Sequence, residues 1–370
     1  MKADATRRAT RALPEAINLG YANWGECDAK VSTAAVQGVN VIVWFALSLT
    51  VVDSGVPRID GGPNLTCVGR LAANLEAQGL PTHHVISIGG WNGAHPSAKV
   101  TPQAWWQALR SYFLSADAAG LAGGFDGIDW DLEGNDNRSA ARNLFPADEL
   151  RGIARISELA KADGKLVFMV PPQSYLNAET HAFALDVIRP ATCWHPEFLY
   201  AGRNVYAALL ALASPGTFDL VSLQLYESWS VTSCMISPKE YGGRGMELAD
   251  YLERLVQIMA AGWRVDFELE PSLGLRNQTV AVPAARLLLG FANGWACRGR
   301  SSPPCKALFV EPDQLRSTWS KLPTRPRGLF FWDIGDEGKP AGASRKPLFL
   351  AKAFNDILRT RPTLNSQTIA

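Results

Sequence analysis

The stretch Phe125-Asp126-Gly127-Ile128-Asp129-Trp130-Asp131-Leu132-Glu133-Gly134 decides how the rest of the chain is read. Its four acids fall within eight residues and alternate with Ile128, Trp130 and Leu132. Gly123-Gly124 precede it and a polar, Asn-rich loop follows, which predicts one short buried strand ending in a turn. Side chains on a strand alternate faces, so Asp129, Asp131 and Glu133 share one face and the three apolar residues share the other. Asp126 is out of phase and is expected to anchor the strand start. Three carboxylates in a row inside a sheet repel each other and lose hydration, at a cost of roughly several kcal/mol. A calcium loop needs a more extended ligand spacing, and a solvated acidic strand end would not carry such large apolar partners. The pattern points to a catalytic row.

Seven other apolar runs accompany this one, making eight: 17–24, 39–47, 84–91, 125–133, 166–173, 218–226, 287–293 and 328–333. Most are continuously apolar, as strands buried on both faces should be. Helical signals lie between them. Thr101-Pro102 forms a cap and first turn, Trp105, Trp106, Leu109 and Phe113 follow at helical spacing, and Gly120 closes the segment. Residues 150–162 end before Gly164, 247–261 before Gly262, and 345–358 supply a closing helix. Eight strands with intervening helices predict an α/β TIM barrel as a single domain over 17–360, with tails at 1–16 and 361–370. An open doubly wound sheet is the alternative, but no glycine fingerprint follows the first strand. Active residues of such barrels lie at the C-terminal strand ends, which is where Glu133 falls. His83 and His84 precede a strand at the opposite end and are not candidates for catalysis.

Composition fits this frame. A chain of 370 residues with 47% hydrophobic and 19% charged residues can bury a sizeable core. A net charge of +1 gives no nucleic-acid surface, and no apolar run is long enough for a membrane helix. Residues 1–16 carry Lys2, Arg7, Arg8 and Arg11 with no apolar stretch behind them, which is not a secretory signal as it stands. The six cysteines, Cys27, Cys67, Cys193, Cys234, Cys297 and Cys305, form no C-x-x-C pair, so no metal site is expected. Cys297 and Cys305 flank a short loop and look pairable. Sequons at Asn64, Asn137 and Asn277 add mild support for an extracellular, disulfide-permissive setting.

The segment Asp126-Gly127-Ile128-Asp129-Trp130-Asp131-Leu132-Glu133 resembles the D-G-x-D-x-D-x-E signature of family 18 glycoside hydrolases, the chitinases and their relatives. Other strand ends carry the same resemblance. Gly20-Tyr21-Ala22-Asn23-Trp24 is similar to G-Y-x-x-N-W, Ser87-Ile88-Gly89-Gly90 to S-x-G-G, and Pro171-Pro172-Gln173 to A-P-E/Q. Gln224-Leu225-Tyr226 is similar to Q-x-Y-N, and Trp332 stands where the family has its cleft-floor Trp. Too few residues separate the last two strands for the large α+β insertion of some members, so the chain resembles the compact, hevamine-type branch. It departs from the family at Glu227, in place of Asn, at Asp333 beside Trp332, and at Pro171 in place of Ala.

The resemblance implies an endo-acting chitinase that cleaves β-1,4 links between N-acetylglucosamine units with retention, without metal or cofactor. Glu133 is then the general acid, and the substrate's own 2-acetamido oxygen is the nucleophile. Asp131 steadies the oxazolinium intermediate, Asp129 shares a proton with Asp131 as a coupled unit, and Tyr226 holds the acetamido oxygen in line. Trp332, Gln224, Tyr21, Trp91 and Gln173 are the expected substrate-binding residues, with Trp229 a further outer platform; Trp105 and Trp106 are expected in the core. Ser87, Gly89 and Gly90 read as small residues that let strands approach. The expected partners are chitin or N-acetylglucosamine oligosaccharides, with no nucleic acid, no membrane and a monomeric protein. The alternatives are an endo-β-N-acetylglucosaminidase on N-glycans and a catalytically silent chitin-binding lectin.

Overall fold

The structure is a computed structural model that describes residues 11–23, 27, 29–52, 55–137, 143–188, 202–227, 230–297, 308–341 and 346–360. Its strands are β1 (Ile17–Ala22), β2 (Val41–Val51), β3 (Pro57–Gly61), β4 (His83–Gly90), β5 (Gly127–Leu132) and β6 (Leu166–Met169). They continue with β7 (Leu220–Gln224), β8 (Trp263–Val265), β9 (Gln278–Val280), β10 (Leu287–Ala292) and β11 (Gly328–Trp332). The helices are α1 (Ala29–Val36), α2 (Leu65–Ala77), α3 (Pro102–Ala118), α4 (Ala147–Ala162) and α5 (Val205–Leu212). After them come α6 (Val231–Ile236), α7 (Leu248–Ala261), α8 (Pro312–Lys321) and α9 (Leu350–Leu358).

Eight strands pair in parallel in the order β1-β11-β10-β7-β6-β5-β4-β2, and β1 also pairs with β2, which closes the ring. These are the eight apolar runs of the sequence. The TIM barrel is therefore present, and between β10 and β11 the described residues hold only a 3-10 turn and α8. Two additions were not visible in the sequence. β2 runs past the barrel rim and pairs antiparallel with β3, where Asp60 accepts from Thr50 at 2.6 Å and from Arg58 at 2.8 Å. β8 and β9 form a separate short antiparallel ribbon between α7 and β10.

Local chemistry sets the helix ends. The Thr101 hydroxyl accepts from the Ala104 N–H and Pro102 opens the first turn of α3. In α4, Asp148 and Glu149 lie in the first turn and Lys161 in the last, each with the sign the helix dipole favours. Gly262, at φ 90°, stops α7. The helix expected from 345 starts only at Leu350, after Pro347 bridges to Pro340. Cys27 and Cys67 form a disulfide with their Cα atoms 6.0 Å apart, and Cys234 and Cys297 each take part in a disulfide, though not with one another. Cys193 and Cys305 lie outside the described residues. Among the described residues no helix is long and apolar enough to cross a membrane.

The core has two layers. Leu19, Tyr21, Val43, Val85, Phe168, Leu220, Leu288 and Phe330 fill the barrel interior. Ile128, Trp130 and Leu132 point the other way, into the layer between barrel and helices. Trp130 Nε1 donates to Ser157 Oγ of α4 at 2.9 Å, so the outward face of β5 is tied to its neighbouring helix. Large side chains there contribute about 1.5–3 kcal/mol each on burial, enough to offset the cost of the acids on the inward face.

Candidate active site

Asp129 and Asp131 lie on β5 and Glu133 one residue past its end, with relative exposures of 0%, 5% and 8%. Two donors converge on Asp129: Tyr21 Oη from β1 at 2.9 Å and Ser87 Oγ from β4 at 3.0 Å, both to Oδ2. Among the described residues its Oδ1 has no partner. The Gln224 amide nitrogen, at the end of β7, reaches Asp131 Oδ1 at 3.1 Å, Glu133 Oε1 at 3.2 Å and the Val170 carbonyl at 2.8 Å. With two N–H bonds and three acceptors, that nitrogen is shared along the row.

Burial without a cation decides the protonation. Burial pushes the Asp129 carboxyl up to about 7 against the two hydrogen bonds that lower it. Asp131 is raised well above the usual carboxylate range by burial first, then by the charges of Glu133 and Asp129. Burial raises Glu133 too, opposed by hydrogen bonds from Asp131 and Gln224. The Asp131 and Glu133 carboxyls are close enough that each acts on the titration of the other, and the Gln224 amide bridges them. Asp131 is raised by both of its neighbours, Glu133 and Asp129, so the row titrates as a coupled set.

The strand end is held by residues that the sequence did not single out. Tyr206 Oη lies 3.2 Å from the carbonyls of Trp130 and Leu132 and accepts from the Leu132 N–H. Tyr175 Oη accepts from the Gly134 N–H at 3.2 Å, and His95 Nε2 lies 2.9 Å from the Glu133 carbonyl. Ser87, read as a small spacer, is in fact a donor to the row. Gly89 fits the spacer reading: at φ 108°, a Cβ there would sit 2.2 Å from the Asp131 carbonyl oxygen.

Among the expected binding residues, Tyr226 is buried beside the row, and its hydroxyl is raised by burial and then by the charges of Asp131 and Glu133. Trp332 is half-buried, its ring 5.6 Å from Tyr21 and 4.7 Å edge-on from Phe45. Trp91 is half-buried against Gly134, the residue after Glu133. Gln173 is placed differently. Its amide oxygen takes the Thr232 N–H at 2.7 Å and hydroxyl at 2.8 Å, and its nitrogen donates to Tyr251 Oη at 2.7 Å. It braces β6 against α6 and α7, and only 1% of it is exposed. Trp105 and Trp106 are buried on α3, and Asp126 accepts from the His84 N–H at 2.8 Å at the far end of the barrel. Trp24 and Trp229 lie outside the described residues.

No family profile matches the sequence, and no curated protein matches it. Solved structures do. A fungal endo-β-N-acetylglucosaminidase from glycosyl hydrolase family 18 aligns with a TM-score of 0.53 at 13% identity, covering 94% of this chain and 99% of that one. The catalytic domain of a family 18 chitinase from the fern Peteris ryukyuensis aligns with a TM-score of 0.51 at 15% identity, covering 93% and 100%. Concanavalin B aligns with 0.51 at 13%, covering 86% and 93%. The fold is that of the family 18 glycoside hydrolases.

Against the family 18 motifs, the departures all lie near the row. Glu227 is 5% exposed and its carboxyl is raised well above the usual range by burial and by the charge of Glu133. Its Oε2 has no partner among the described residues. Asp333 accepts from the Asp336 N–H at 3.0 Å and lies 3.5 Å from the Asn23 amide, so it braces the loop after β11. Pro171 keeps its carbonyl for the Gln224 N–H at 2.9 Å, so the change from Ala leaves the strand pairing intact.

Proposed function

We propose that the protein is a glycoside hydrolase of family 18 and, within that family, an endo-acting chitinase that works by substrate-assisted retention. The observation that carries this reading is the inward-facing row Asp129-Asp131-Glu133 at the C-terminal mouth of the barrel, with the Gln224 amide bridging Asp131 and Glu133. Breaking a glycosidic bond needs a proton for the leaving oxygen and a stabiliser for the oxocarbenium-like centre. Glu133 supplies the proton, since burial holds its carboxyl up. The acetamido oxygen of the sugar attacks the anomeric carbon, an intramolecular step whose effective molarity can reach about 10⁵ M or more. Asp131 accepts from the acetamido N–H and balances the positive oxazolinium. Tyr226 donates its hydroxyl to the acetamido oxygen, and Trp332 floors the sugar. Water then opens the oxazolinium as Glu133 takes its proton back, which restores the β configuration. The Cys27–Cys67 disulfide supports an oxidising, extracellular setting.

The test is hydrolysis of a soluble N-acetylglucosamine oligomer by the wild type and by Glu133→Gln, with the first product read by NMR. A β-anomer burst that the variant lacks is the expected result. Binding without turnover in the wild type would leave a lectin. Turnover of an N-glycan core but not of the oligomer would move the substrate to N-glycans while keeping the mechanism.

A further inference from the structure

We infer that Asp136 is a positioning residue whose carboxylate fixes Trp91 as a rigid aromatic wall for the sugar unit next to Glu133. The inference rests on the hydrolase reading above and gives the Asn-rich loop after β5 a task.

Two loops meet at this edge of the barrel mouth, one leaving β4 and one leaving β5. The Asn92 N–H donates to the Gly134 carbonyl at 3.1 Å, which aligns their backbones. The Asp136 N–H donates to Asn92 Oδ1 at 2.9 Å, and Asn92 Nδ2 donates back to Asp136 Oδ2 at 2.8 Å. The second carboxylate oxygen, Oδ1, accepts from Trp91 Nε1 at 3.0 Å. One carboxylate thus takes the indole with one oxygen and the neighbouring loop with the other. Asn92 sits at φ 65°, a left-handed conformation in which Asn is among the few enriched non-glycine residues, so the reciprocal pair is built for this backbone.

The geometry aims the indole at the chemistry. A Cβ added to Gly134 would lie 3.3 Å from Trp91 Cζ3, so the ring packs on the residue that directly follows Glu133. A half-buried indole this close to the acid presents a flat apolar surface, which suits the apolar face of a pyranose. An unrestrained Trp would have to be ordered when sugar arrives, and that ordering opposes binding. Holding the ring beforehand removes that cost. The clamp therefore acts on substrate affinity and leaves the proton transfer at Glu133 alone.

The experiment measures kcat and KM on a soluble N-acetylglucosamine oligomer for Asp136→Ala, Asp136→Asn, Trp91→Ala and the double variant Asp136→Ala with Trp91→Ala, with thermal melting of each. Asp136→Ala is expected to raise KM about threefold to fivefold while kcat stays within about twofold, the signature of lost ground-state binding. Asp136→Asn should fall between it and the wild type, because an amide nitrogen cannot accept from one of the two donors. In the Trp91→Ala background the Asp136→Ala change should leave KM unmoved, since residues acting as one unit do not add. Full additivity, or a kcat loss that tracks a lower melting temperature, would overturn the clamp while the hydrolase reading stands. Absence of wild-type turnover on any acetamido glycan would remove both.

Discussion

The two ends of the barrel both hold buried polar groups, and they use them in opposite ways. At the base, charged and polar donors meet acceptors at most positions. Lys161 donates to both oxygens of Asp219 at 2.7 and 2.8 Å, and Asp219 also accepts from the Val167 N–H at 2.9 Å. Lys165 donates to the carbonyls of Gly123 and Phe125 over the Phe113 ring. His84, pushed down to about 4 by burial, accepts from Trp44 Nε1 at 3.2 Å and faces the Thr82 hydroxyl at 2.9 Å. At the mouth, Asp129, Asp131 and Glu133 are held by neutral donors, Glu227 Oε2 has no partner among the described residues, and burial raises every one of the four. Paired charges make a floor that only holds the barrel together. Unpaired carboxyl groups store protons, and stored protons can be delivered.

The largest effect that could break this contrast is at the acid. Glu133→Gln should cut kcat on a chitin oligomer by roughly 10²–10⁴-fold, the range for loss of a general acid, with the fold unchanged by circular dichroism. Asp131→Asn should follow at about 10²-fold or more, since it removes the charge that faces the oxazolinium. Activity in either variant near the wild-type level would mean that the row is structural. At the base, Lys161→Met should do the reverse. It strands Asp219 half-buried, should destabilise by about 1–3 kcal/mol in a urea titration, and should leave kcat/KM unaltered. A change in kcat there would dissolve the distinction between the two ends.

Stability against pH sharpens the same comparison. Asp129 is raised to about 7 in the folded chain and has an ordinary carboxylate value when unfolded. The folded state therefore binds this proton more tightly. Its stabilising contribution is complete below the unfolded value and is lost as pH rises through about 7. Wild-type stability should fall between roughly pH 4 and 7, and Asp129→Asn should flatten that decline by an amount on the order of a few kcal/mol. An unchanged slope in the variant would show that Asp129 does not hold the proton.

Much of the barrel was legible in the sequence because parallel strands covered on both faces are continuous apolar runs, such as Val41–Val51 and Leu287–Ala292. The β2–β3 hairpin was not, since Pro57–Gly61 is a mixed, partly exposed segment whose only strand signal is its partner. The alternation on β5 placed three acids on one face, and that parity needs no tertiary information. Contacts made across the fold do. Tyr175, Tyr206 and His95 reach backbone atoms of the strand end from distant loops and helices, and no periodicity marks them. Gln173 looked like a cleft residue because it lies just past the end of β6, and Thr232 and Tyr251, far along the chain, turn it into a brace.

The smallest expected effect probes how far the coupling of these carboxyl groups extends. Glu227 is buried with Glu133 as the charge that raises it, and Asp131, Tyr226 and Tyr175 all feel its charge in turn. The Glu133 charge keeps the Glu227 proton in place, so Glu227 is neutral while Glu133 titrates, and the isosteric Glu227→Gln keeps that neutrality. The alkaline limb of kcat/KM should stay within about half a unit of its wild-type position, with kcat near the wild-type value. A limb displaced to lower pH would show that an ionised Glu227 holds the Glu133 proton. A limb in place with kcat reduced at every pH would make Glu227 a packing residue. The proton reservoir at the mouth would then end at Glu133, and the fourth buried carboxyl would belong with the structural polar groups of the base.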